Sequence, residues 1–126
     1  MRMPTVAGLR ASILCAAAWL ACAAPAFANG SLSCEGRPYA VEMQFSLSTG
    51  ELTGLIVARE QHGDLSSERF TPRRRSIDYA RRTVQASGTS VDRPSRTATL
   101  HIAQARGTLT LAGRRYRLRC DWTGLG

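Results

Sequence analysis

The chain has 126 residues, with 17 Lys and Arg against 9 Asp and Glu, a formal net charge of +8. That length allows one domain, and its longest apolar run falls short of the roughly 20 residues that a membrane-spanning helix needs.

The first segment reads as an export signal. Met1 to Arg10 carries Arg2 and Arg10 and no acid, Ala11 to Ala24 is continuously apolar, and Pro25 breaks the run. Ala26-Phe27-Ala28 then places small residues at the −3 and −1 positions of a cut after Ala28. This is the charged, apolar and A-x-A pattern of a cleavable secretory leader. Arg2 and Arg10 are not adjacent, so the twin-arginine route is not indicated. Lipidation at Cys22 is the competing reading, and it meets Trp19 rather than a Leu three positions upstream. The expectation is a signal peptide over 1–28, a single domain over 29–126, and a periplasmic or secreted location.

Two consequences follow from that cut. Cys15 and Cys22 leave with the leader, and Cys34 and Cys120 remain near the two ends of the domain. An isolated pair in an oxidising compartment reads as a disulfide. Close spacing such as C-x-x-C, expected of a redox or metal pair, is absent. A domain of this size buries only about 60–65% of its unfolded surface, so a crosslink would matter. The second consequence concerns charge. All basic residues are Arg, and the domain keeps 15 of them against 9 acids, or +6. Such a balance favours anionic partners. Export places the protein away from the chromosome, so the expected partner is an anionic glycan, lipopolysaccharide or an acidic protein, and not nucleic acid.

After the leader, alternation with period 2 dominates, the pattern of half-buried strands. Cys34 follows Leu32 at that spacing. Tyr39, Val41, Met43, Phe45 and Leu47 alternate with polar or small residues, and Ser48-Thr49-Gly50-Glu51 reads as a hairpin turn. Leu52 to Arg59 forms the return strand, with Gly54 as a bulge or kink. Glu60 to Asp64 is turn-like, Leu65 to Thr71 a short irregular strand, and Pro72 to Arg75 an interruption. The pattern resumes over Ser76 to Ala86 with a phase slip at Arg81-Arg82, read as a bulge or helical turn. Ser87 to Ser95 is rich in turn formers and reads as a loop.

Ala98, Leu100 and Ile102 begin a final meander, with turns at Gln104–Gly107 and Ala112–Arg114. In the last strand Tyr116, Leu118, Cys120 and Trp122 alternate with Arg115, Arg117, Arg119 and Asp121. Both remaining cysteines therefore face inward, and their disulfide should join the first and last strands. No segment has a helical apolar period. The fold expected is all-β, a small antiparallel sandwich or barrel of about six to eight strands. Short, few strands argue against a membrane barrel.

Two Arg groups are candidates for binding. Arg73, Arg74 and Arg75, with Arg81 and Arg82, flank Tyr79, whose ring could stack on a base or sugar. Arg115, Arg117 and Arg119 project from one face at about 7 Å intervals, a row suited to phosphates or carboxylates on a polymer. The alternative is a solvated face paired with Glu35 or Glu42. Glu60, His62 and Asp64 match no established metal spacing, and His101 lies on a solvent face. No G-x-S-x-G or H-E-x-x-H motif occurs, so no catalytic, metal or cofactor residue is assigned. The expectation is a non-enzymatic binding domain. A lysozyme-inhibitor-like module, by size and compartment alone, and a small envelope-polymer hydrolase are the alternatives.

Overall fold

A computed structural model describes residues 29–125. The leader reading falls on residues outside this range. Eight antiparallel strands run in sequence order: β1 (Asn29–Gly36), β2 (Tyr39–Ser46), β3 (Leu52–Gln61), β4 (Asp64–Asp78), β5 (Thr83–Ser90), β6 (Thr97–Ala103), β7 (Arg106–Leu111) and β8 (Arg114–Asp121). Each pairs with the next, and β8 returns to β1, so the sheet closes into an up-and-down barrel. A 3-10 turn (Thr123–Leu125) follows β8 and lies against β1.

The alternation in the sequence is the alternation of the barrel wall. Leu32, Val41, Met43, Phe45, Leu55, Phe70, Val84, Leu100 and Leu109 all point inward and are fully buried. Eight strands leave an interior just wide enough for side chains to fill, and these residues fill it. Burial of each large apolar side chain contributes about 1.5–3 kcal/mol. The outer wall carries Arg, Glu, Ser and Thr. That is the reverse of a membrane barrel, which faces lipid with an apolar band. Polarity, rather than the small strand count expected from the sequence, is what separates the two: eight strands already suffice for the smallest membrane barrels.

The hairpin turns follow local chemistry. His62-Gly63 and Ala112-Gly113 have positive φ at both positions (53° and 81°; 51° and 76°). This is the handedness that matches the twist of the flanking strands. At Gly54 the register shifts, with Gln44 opposite Gly54 and Phe45 opposite Leu52, so Thr53 is the extra residue of a bulge.

The middle of the chain departs from the sequence reading. The segment from Asp64 to Asp78 is one strand of 15 residues, not a short strand followed by an interruption at Pro72–Arg75. A bulge between Pro72 and Arg74 absorbs the phase change. Pro72 is tolerated because bulges free a backbone position from the ladder. The slip at Arg81-Arg82 is the β4–β5 turn, and Arg82 closes it with φ of 55°. Ser87 to Ser90 belongs to β5, whose small residues pack tightly against β4, and the loop covers only residues 91–96.

β4 keeps its pairing with β3 only up to Phe70 opposite Leu55. Beyond that point it pairs with β5 alone, and the start of β3 loses a neighbour. Two side chains cross the resulting gap. Arg75 stands opposite the buried Ala86 but is itself exposed where β4 leaves β3, and its Nη1 donates to the Leu52 carbonyl at 3.4 Å. The Tyr79 hydroxyl donates to the Gly50 carbonyl at 2.7 Å.

Candidate functional site

The two Arg groups read from the sequence have different structural standing. Arg73, Arg74 and Arg75 do not form one cluster. Arg73 is the extra residue at the bulge, and its Nε donates to Thr89 Oγ1 at 3.1 Å. Arg74 faces outward opposite Ser87, and Arg75 is the bridge to β3. Arg81 approaches Asp78 at 3.8 Å in the same turn, and both are exposed. Such a pair contributes little to stability. The Tyr79 ring meets Phe45 edge-on at 6.1 Å between centroids, and burial raises the pKa of its hydroxyl above the ordinary tyrosine value.

The β8 row is different. Arg115, Arg117 and Arg119 all project from the outer wall, opposite Thr110, Thr108 and Arg106 of β7. Arg106 therefore joins the row from the neighbouring strand. The sequence alone hides this, because Arg106 sits in a turn-like QARG segment and its register with β8 is a tertiary fact. None of these four guanidinium groups forms an ion pair with a described residue. Glu35 is the cross-strand neighbour of Arg119 on the β1 side, but no ion pair joins them within 4.0 Å. Glu42 lies one strand further away, opposite Ser33 and Ile56. Strands β5, β6 and β7 contain no Asp or Glu at all. Their outer positions are mostly Thr and Ser with Gln85 and His101, so the wall beside the row is polar and free of negative charge.

At one end the row runs into a groove of about 1220 Å³. Ser33, Glu35, Arg119 and Asp121 line it from the β1–β8 wall, and Arg81, Arg82, Gln104 and Trp122 from the barrel end. Trp122 is half-buried, and its Nε1 donates to the Gln104 carbonyl at 2.6 Å. That bond orients the indole. Asp121 Oδ1 accepts from the Thr123 backbone N–H at 2.9 Å and from Thr123 Oγ1 at 2.7 Å. These bonds hold the Asp121 carboxyl below the usual carboxylate range. It is an ionised acceptor at neutral pH, not a proton donor.

The other end of the barrel carries a second charged group. Arg59 lies over the Tyr39 ring, 5.7 Å from its centroid, and Tyr39 meets Tyr116 edge-on at 4.6 Å. Arg96 approaches Glu68 at 2.9 Å, although not along its N–H direction, and Glu68 Oε2 is buried with no hydrogen-bonding partner. Glu60, His62 and Asp64 share the β3–β4 tip. Among the described residues no three metal-ligating side chains converge. No helix among the described residues is long and apolar enough to cross a membrane.

Comparison with protein-family models, with curated proteins and with solved structures finds no match.

Proposed function

We propose that the protein is an exported, non-enzymatic barrel that binds an anionic envelope component or an acidic protein on the outer wall of β7 and β8. One observation carries this reading: Arg106, Arg115, Arg117 and Arg119 share one exposed face, and none is paired with a described acid. Guanidinium groups in such a row make bidentate bonds to phosphate, sulfate or carboxylate. The barrel wall holds their backbone positions at fixed spacing, and each exposed side chain is ordered only on binding, at a cost of about 0.5–1.5 kcal/mol. The charge density of the sequence favours the Arg73–Arg82 segment. The geometry favours β8, because Arg73, Arg75 and Arg81 already have partners within the fold.

Salt elution from an immobilised polyanion tests this. Replacing Arg115, Arg117 and Arg119 together by Ser should lower the eluting salt concentration. The slope of log affinity against log salt should fall by about one for each guanidinium removed from the bound surface. Replacing Arg69, Arg74 and Arg93 by Ser removes the same charge elsewhere and should have a much smaller effect. Equal effects from the two triples would reduce the reading to non-specific net charge.

A further inference from the structure

Beside the Arg row, the outer wall of β5 to β7 carries a shallow depression of about 640 Å³. Its floor is Ala103, an outward position of β6 whose short side chain leaves room among larger neighbours. Ala103 stands between Thr83 of β5 and Arg106 of β7. The next outward residue along β6, His101, stands between Gln85 and Thr108. Arg106 is in turn the cross-strand neighbour of Arg119. Arg119, Arg106 and Ala103 therefore step across the sheet at about 4.8 Å per strand, at right angles to the row on β8. We infer that this depression is an anion subsite held between Arg106 and His101, and that acid strengthens it. The inference rests on the polyanion-binding reading of β8 and adds to it a second direction of contact and a dependence on pH.

The chemistry follows from what surrounds Ala103. Arg106 brings a guanidinium, Thr108 a hydroxyl and Gln85 an amide, and each can donate to a carboxylate, sulfate or phosphate oxygen. A neutral imidazole has one N–H donor; a protonated one has two and a positive charge. Histidine makes that change between about pH 5 and 8, and His101 is exposed, so it exchanges its proton with solvent. The charged groups around it are mostly cationic. On β7 Arg106 stands diagonal to it, and Arg117 lies one strand further, opposite Thr108. Neither β5 nor the rest of β6 carries a titratable side chain. On β4, Arg74 and Asp78 flank Ser76, which stands opposite Gln85, and Asp78 approaches Arg81 at 3.8 Å. In the free protein a charge on His101 adds to those of Arg106 and Arg117. An anion seated over Ala103 lies between Arg106 and His101 and attracts both. By linkage, an anion that prefers the protonated form promotes protonation by the same factor.

The chain has 2 His residues, His62 and His101. His62 sits in the β3–β4 turn at the opposite end of the barrel and serves as the internal control. Dextran sulfate is the probe, because its sulfate groups stay ionised throughout the histidine range. The full chain, with or without the leader, is titrated with it at one low salt concentration, at about pH 5.5 and about pH 7.5. Affinity should be about two- to fivefold higher at the lower pH, the weight of one exposed ion pair. His101→Gln should remove that gain, and His62→Gln should keep it. Ala103→Leu fills the depression without changing charge, so it should also remove the gain while binding at the higher pH persists. In proton NMR the His101 imidazole should titrate at higher pH with dextran sulfate bound than without it, and the His62 imidazole should not move. Equal wild-type affinity at the two pH values would overturn the subsite and leave the polyanion reading of β8 standing. A gain that survives His101→Gln or Ala103→Leu, or equal displacement of both imidazoles, would do the same. Absence of dextran sulfate binding at both pH values would overturn both readings.

Discussion

Cys34 and Cys120 stand directly opposite each other in the antiparallel register of β1 and β8, and their disulfide spans the seam where the barrel closes. Only three residue pairs form that seam: Ser33 with Asp121, Cys34 with Cys120, and Glu35 with Arg119. The adjoining β1–β2 ladder has eight. The crosslink therefore reinforces the shortest ladder of the barrel. It also lies immediately under the Arg119–Asp121 part of the groove.

Replacing both cysteines by Ser should destabilise the fold by about 2–5 kcal/mol, the range for removing a native disulfide from a small domain. The closed loop is long, with a sequence separation of 86, which places the chain-entropy expectation near the upper end. Urea denaturation of the oxidised protein and the double variant measures it. A loss below about 1 kcal/mol would show that the β1–β8 ladder closes without help.

Arg75 and Tyr79 should behave as structural residues. Arg75→Ala removes the bridge to the Leu52 carbonyl, and Tyr79→Phe removes the bond to the Gly50 carbonyl. Each should cost about 1 kcal/mol and leave salt elution from a polyanion column almost unchanged, apart from the one charge removed at Arg75. A large shift in elution for either would return the Arg73–Arg82 segment to the binding site.

Acid should loosen the end of β8. The folded-state pKa of Asp121 is depressed by its bonds to Thr123. The sign follows from linkage: this contribution is present above the ordinary carboxylate pKa and is lost as pH falls through the lowered folded value. Trp122 lies between the two residues, so its emission should change over that acid window. Asp121→Ala should remove the transition. Persistence of the same transition in that variant would assign it to another group.

Export should be visible in mass. Protein recovered from outside the cytoplasm should begin at Asn29 and weigh two hydrogens less than its reduced form. An N-terminus bearing a lipid at Cys22 would establish the alternative, an anchored protein.

Much of the barrel is legible in the sequence because the hydrophobic effect acts locally on a strand. The alternation over Tyr39 to Phe45 places Val41, Met43 and Phe45 on the inner face, and that is where they lie. The inward setting of both cysteines follows in the same way. The alternation fails at Pro72–Arg74, where one extra residue inverts the phase, so a continuous strand reads as two pieces and a loop. It also makes Arg73, Arg74 and Arg75 look equivalent, although after the bulge Arg74 and Arg75 take opposite faces of the strand and only Arg75 reaches the Leu52 carbonyl.

The sequence by itself determined the all-β class, the inner and outer faces of most strands and the position of most turns, because each depends on residues close together in the chain. Only the tertiary structure decided that the sheet closes as a barrel, that Arg106 lies beside Arg119, and that Glu35, Asp121 and Trp122 line one groove. Those relationships depend on which strands become neighbours and in what register. A period of two residues says which face a side chain occupies and nothing about the strand that will stand next to it.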